Sequence, residues 1–145
     1  MIRKMTIADY DAVYDLWIST PGMGLNTTDD SREGIEKYLK RNPNTCFVAE
    51  EEGKIVGAIL SGHDGRRGYI SHTAVRVEMR GRGLGRELVE HVMEAFKQEE
   101  IHKVALVVFE KNHIGNGFWE ALGFTTREDL IYRNKSIDAL ERIDT

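Results

Sequence analysis

Apolar residues in this chain recur at two spacings, and the switches between them outline its elements. In the middle of the chain, Leu84, Leu88, Val92 and Phe96 repeat at helical spacing, with Val89 and Met93 widening the stripe. VALVVF, residues 104 to 109, is continuously apolar, the pattern of a strand covered on both faces. TCFVAEE and KIVGAIL read as two strands joined by the tight turn Glu51-Glu52-Gly53-Lys54, an antiparallel hairpin. HDGRRG then turns the chain into a further strand, GYISHTAV, ending at Val75. Near the start, IRKMT predicts a short strand. Thr6-x-x-Asp9 resembles a capping box ahead of a helix with Ile7, Tyr10, Val13 and Trp17 on one face. That helix should stop before Pro21, Gly22 and Gly24, and Asp30-x-x-Glu33 should cap a second one running to about Arg41. Phe118, Trp119 and Leu122 mark a short helix ended by Gly123, and LIYR (130–133) looks like a last strand before a weakly helical or frayed tail. Strands and helices mixed along the whole length predict an α+β (α/β) fold in one domain, 1–145, without internal repeat or linker.

Composition narrows the function classes. Twenty basic residues against 24 acidic give a net charge of −4 over 145 residues. That balance argues against a general nucleic-acid binder and would suit a cationic substrate. The lone Cys46 leaves no internal disulfide to form and fits a reducing cytoplasm. The amino terminus turns acidic by Asp9, unlike a secretory leader, and no apolar run approaches the ~20 residues of a membrane helix.

VRVEMRGRGLGREL, residues 75 to 88, carries the chemistry. It follows an apolar strand and opens an amphipathic helix, and its three glycines alternate with arginines. Backbone N–H groups in the first helical turn have no internal partner and point outward at the positive end of the dipole. Glycines let a bulky anion approach those donors, and Arg80, Arg82 and Arg86 add charge around it. The dinucleotide fingerprint does not fit, because Gly81, Gly83 and Gly85 have the wrong spacing; the P-loop does not fit, because no Lys-Ser or Lys-Thr follows.

Arg80-Gly81-Arg82-Gly83-Leu84-Gly85 resembles the R/Q-x-x-G-x-G/A signature of the GNAT N-acetyltransferases, and Ala74-Val75 resembles the end of that family's fourth strand. Asn112-x-x-Gly115-x-x-Phe118-Trp119-x-x-x-Gly123-Phe124 resembles the segment following its fifth strand. The resemblance implies a mostly antiparallel mixed sheet of six to seven strands, flanked by about four helices and splayed between the fourth and fifth strands. It implies acetyl-CoA as co-substrate, no metal, and direct transfer of the acyl group to an amine without a covalent enzyme intermediate. The backbone of Val75 and Val77 would pair with the pantetheine arm, with the Val75 N–H donating to the thioester carbonyl. The amides of Arg80, Gly81, Arg82, Gly83, Leu84, Gly85 and Arg86 would take the diphosphate. Asn112 would bond to the arm, and Trp119 would line the cofactor site. The loop from Ser19 to Asn26 would mould the acceptor pocket and is expected to be mobile.

Three positions depart from the family pattern. Val77 stands where proline is common, and Gly115 where alanine is. Trp119 replaces the tyrosine that protonates the departing thiolate in many members, and an indole N–H does not act as an acid at neutral pH. Tyr132 and Tyr69 are possible stand-ins. A lysine-like acceptor amine must lose a proton before it attacks, which calls for a base. His72 is the favoured base, since alternation along its strand puts it on one face with Ile70 and Ala74, and its ordinary pKa of ~6.5 suits proton removal near neutrality. Glu110 is the second choice. His63, Asp64, Arg66 and Arg67 occupy a turn that could rim the acceptor pocket. The acceptor would be a small-molecule amine or a peptide or protein amine, with no nucleic acid or membrane involved and a homodimer possible. A non-catalytic acyl-CoA sensor of the same fold is the alternative reading. A nucleic-acid binder using Arg76, Arg80, Arg82 and Arg86 is disfavoured by the acidic charge.

Overall fold

A computed structural model describes all residues, 1–145. Five strands form the main sheet in the order β1-β3-β4-β5-β6, from β1 (Ile2–Lys4), β3 (Phe47–Glu51), β4 (Lys54–His63), β5 (Gly68–Val75) and β6 (Val104–Ala105). Its neighbours are antiparallel except β5 and β6, which run parallel. A separate two-stranded ribbon pairs β2 (Leu25–Asn26) with β7 (Arg142–Ile143). The expected sheet of six to seven strands is therefore five plus two.

Helices α1 (Tyr10–Ile18) and α2 (Arg32–Arg41) belong to one core layer, and α3 (Leu84–Gln98) and α4 (His113–Ala121) to the other. Trp17, Val13, Leu16 and Ile35 fill the first layer; Leu88, Val92 and Phe96 fill the second with Ile59 and Ile70. The Thr6 capping box is formed, its amide bonded to Asp9 Oδ2 at 2.9 Å. The second expected cap is not: Ser31, rather than Asp30, caps α2, its Oγ accepting the Gly34 N–H at 3.0 Å. Met93 sits at the margin of the α3 stripe, exposed.

Two strand expectations fail for one reason, the lack of a partner. In 104–109 only Val104 and Ala105 enter the ladder, and Val107 and Phe109 are 57% and 65% exposed, because no helix covers that face. LIYR is no strand. Residues 125–140 donate and accept no backbone hydrogen bond, and the chain rejoins the body only where Thr27 N–H meets Glu141 O. A bulge in the β4–β5 ladder positions the chemistry. The register steps from Ile59–Thr73 to Ser61–Ile70, so β5 holds one extra residue. Ile70 consequently faces α3, while His72 and Ala74 face α1. The simple alternation expected for Ile70, His72 and Ala74 is broken there.

Candidate active site

Beyond β5 the chain makes a short 3-10 turn, Val77–Met79, and then presents a row of free amides. Arg80 Nε clamps back to Val75 O at 3.1 Å. Gly81 and Gly83 have φ of 78° and 83°, the left-handed region that glycine enters without strain. A Cβ on either would meet no protein atom within 4 Å, so the space before them is open. Gly83 is the N-cap of α3. The N–H groups of residues 81 to 86 find no acceptor in the protein; the first bonds of the helix run from Glu87 to Gly83 and onward. Arg80, Arg82 and Arg86 make no ion pair. Six free donors and three cations without a carboxylate partner at a helix start fit a diphosphate. Gly85 serves packing instead. A Cβ there would lie 3.0 Å from the Phe118 ring, so this glycine lets α3 and α4 approach closely.

This turn opens onto a gap in the sheet. β5 and β6 are joined only at Gly68–Val104 and Tyr69–Ala105, and from there on the two chains part. Arg76 N–H donates to Val56 O at 2.8 Å, toward β4. By alternation along the strand the Val75 N–H points the other way, into the gap. Val77, whose backbone is expected to pair with the arm, lies in the 3-10 turn, and its carbonyl accepts the Arg80 N–H. Asn112, expected to bond to the arm, caps α4, its Oδ1 accepting the Gly115 N–H at 2.8 Å. Gly115 is explained by the same cap, since a Cβ would lie 2.5 Å from Asn112 Nδ2. Trp119 is a core residue, 9% exposed and set edge-to-face against Phe118 and Phe124.

On the face of β5 toward α1 lies a pair of which the sequence reveals one member. His72 Nε2 stands 2.6 Å from Asp30 Oδ1, with the Asp30 side chain only 5% exposed. Asp30 Oδ2 accepts the Asn26 N–H at 2.8 Å, and its carbonyl accepts the Tyr10 hydroxyl at 2.6 Å. The Trp17 ring meets His72 edge-on at 4.9 Å. A carboxylate at Nε2 selects the tautomer with the proton there, leaving the Nδ1 lone pair to take a proton. Position hides Asp30, because an aspartate just before a helix reads as a cap. The only available signal is the Asp29-Asp30-Ser31 run, which holds more capping residues than one helix start needs.

The other expected groups are not brought to this pair. The Glu110 carboxylate is exposed, beyond the end of the apolar run, without a hydrogen bond or an ion pair to Lys111. Tyr132 is 66% exposed and beside Tyr69; burial, with the Tyr132 phenol next to it, raises the Tyr69 pKa above the ordinary 10.0. The Ser19–Asn26 loop is tied at its far end by the β2–β7 pairing and by Met23 N–H to Thr145 Oγ1. No helix is long and apolar enough to cross a membrane.

Residues 10–124 match the model of the Acetyltransferase (GNAT) family. The chain belongs to that family, and it is an acyltransferase by that membership. A curated acetyltransferase of Pectobacterium atrosepticum is 30% identical over 140 residues, 97% of this chain and 98% of that one. Among solved structures, the PaiA N-acetyltransferase of Thermoplasma acidophilum in complex with coenzyme A superposes with a TM-score of 0.78 at 17% identity, covering 88% of this chain and 90% of that one. AAC(6')-Iy, bound to a bisubstrate analogue of CoA and monomethyl-acetylneamine, gives a TM-score of 0.71 at 19% identity, covering 94% and 97%. At these identities the structural likeness speaks for the fold, which is that of the family.

Proposed function

We propose that the protein transfers the acetyl group of acetyl-CoA to a primary amine by direct attack in a ternary complex, and that residues 1–145 act as one catalytic unit in the cytoplasm. The observation that carries this reading is the row of six unpaired amides at the start of α3, opening onto the β5–β6 gap. These amides, from Gly81 to Arg86, would hold the diphosphate, with Arg80, Arg82 and Arg86 adding charge. The Val75 N–H would meet the thioester carbonyl, where a preorganised donor lowers the barrier by a few kcal/mol. Bound acetyl-CoA supplies the activated acyl group. Val77, Asn112 and Trp119 serve indirectly, by setting the turn, capping α4 and walling its core side.

His72 acts as the base. Asp30 holds its Nε2 proton, so Nδ1 takes the proton of the acceptor ammonium, and the amine can then attack. A thiol with an ordinary pKa of ~8.5 is a fair leaving group as thiolate, so the missing tyrosine at 119 is tolerable. Proton return falls to solvent or to the exposed Tyr132, and Glu110 stays at the edge of the chemistry. A non-catalytic acyl-CoA sensor would have no use for the buried His72–Asp30 pair. The open outer edge of β6 is where a second copy would pair if the protein dimerises. The test is thiol release from acetyl-CoA against a panel of amines. Amine-dependent release, first order in protein, is expected; CoA binding without amine-dependent release would leave only the sensor.

A further inference from the structure

At the closed end of the β5–β6 splay, away from the amide row, lies a cavity of about 420 Å³ that the acetyl-transfer machinery does not use. It opens between the end of α2, the β4–β5 turn and the start of β6, and Tyr38, Asn42, His63, Arg67, Tyr69 and Ala105 line it. Tyr38 packs on the α1–α2 side of the sheet, and Tyr69, by alternation from Ile70, faces the same way. The bulge puts His72 on that face too, three residues further along β5. The cavity and the His72–Asp30 pair are thus two stations along one strand face, on the order of 10 Å apart by strand rise.

Its polar groups are built in. Asn42 is 7% exposed, and its amide bridges the His63 N–H and the Tyr38 carbonyl. His63 is fixed between Gly65 N–H on Nδ1 and Glu99 on Nε2. Burial pushes the Tyr38 phenol well above its ordinary range, so it stays a neutral donor. Asp64 Oδ1 accepts the Arg66 and Arg67 N–H groups at 2.8 Å each, which fixes the turn and aligns the Arg67 backbone. Arg67 is the one lysine or arginine lining the cavity, and it forms no ion pair. The unpaired Arg67 guanidinium beside phenol and carboxamide donors is a place for an anion. Asp64 on the same rim disfavours a doubly charged group, which leaves a carboxylate.

We propose that this cavity holds the carboxylate of the acceptor, with Arg67 as its counter-ion, so that the substrates are amines carrying a carboxylate roughly 10 Å from the reacting nitrogen, the rise of three strand residues. The inference rests on the acetyl-transfer reading for its meaning, and its test separates the two. ω-Aminooctanoate, ω-aminooctanol and diaminooctane present the same amine with a distal carboxylate, hydroxyl or ammonium. Wild-type protein should favour the carboxylate over the alcohol by about tenfold in kcat/KM, through KM, the worth of one charge-assisted bond. Arg67→Gln should bring that ratio to about one. Equal kcat/KM for all three amines, or a ratio untouched by Arg67→Gln, would overturn the proposal. Binding is read independently of turnover by titrating ω-aminooctanoate into the CoA-saturated protein and following backbone amide resonances. Shifts at Gly68 and Tyr69 in wild type that vanish in Arg67→Gln support the cavity even if no amine is acetylated, in which case only the transferase reading falls. Absence of those shifts in wild type overturns the cavity.

Discussion

Asp30 Oδ1 stands 2.6 Å from His72 Nε2 across 42 residues of sequence, and the other oxygen of the same carboxylate accepts the Asn26 N–H. One acid therefore fixes both the His72 ring and the loop before α2. Asp30→Asn tests this arrangement sharply. An amide must keep its oxygen toward the Asn26 N–H, which turns its NH₂ toward His72 Nε2 and forces the ring proton onto Nδ1. The base is then lost without a change of shape. The expected outcome is a fall in kcat of about 10²-fold or more with KM for acetyl-CoA unchanged. His72→Ala should fall similarly at neutral pH and recover in part as pH rises, because the acceptor amine then deprotonates unaided. A pH–rate profile identical to wild type removes His72 from the mechanism.

Glu100 occupies a position that suits glycine. Its φ is 59°, just past the end of α3, where Ile101 N–H bonds back to Phe96 O at 2.9 Å. Glu100→Gly should raise stability by up to about 1 kcal/mol, read as a higher denaturant midpoint at unchanged slope. A lower midpoint would show that the side chain stabilises the fold through some other contact.

Arg3 links β1 to the first helical turn and to β3. Its guanidinium donates to both Asp9 oxygens at 2.9 and 2.8 Å and to Glu50 at 3.0 Å. Burial alone would raise the Asp9 pKa, but the Arg3 and Thr6 hydrogen bonds outweigh it and hold the acid below its ordinary 3.8. A depressed folded-state pKa contributes stability that is complete above the unfolded value and is lost as pH falls through the folded one. Unfolding free energy should therefore decline as pH drops below about 4, and Asp9→Asn should flatten that part of the curve while costing about 1–3 kcal/mol at neutral pH. An unaltered acid limb in Asp9→Asn would contradict the assignment.

Local demands are legible in the sequence. Spacing alone marks Gly81 and Gly83, and both have the positive φ that a side chain resists. Helix stripes are equally plain, because burial on one face leaves a 3.6-residue record. What escapes depends on partners distant in sequence. The β5 bulge leaves no mark in an apolar pattern, so alternation alone assigns Ile70 and His72 to one face. Asp30 is a capping-type residue whose real partner lies 42 residues away. VALVVF and LIYR have strand composition, but composition does not say whether a neighbouring edge or covering helix exists, and for Val107, Phe109 and residues 130–133 none does.

The most direct measurement is titration of coenzyme A into the folded protein and its Gly83→Val variant, with backbone amide resonances and calorimetry read together. The account calls for large shifts confined to residues 81–86 and Val75 in wild type, and for loss of affinity in Gly83→Val, where a branched side chain would stand in a left-handed turn before the diphosphate. Unmoved resonances at 81–86 in the presence of bound coenzyme, or equal affinity in a folded Gly83→Val protein, would contradict it.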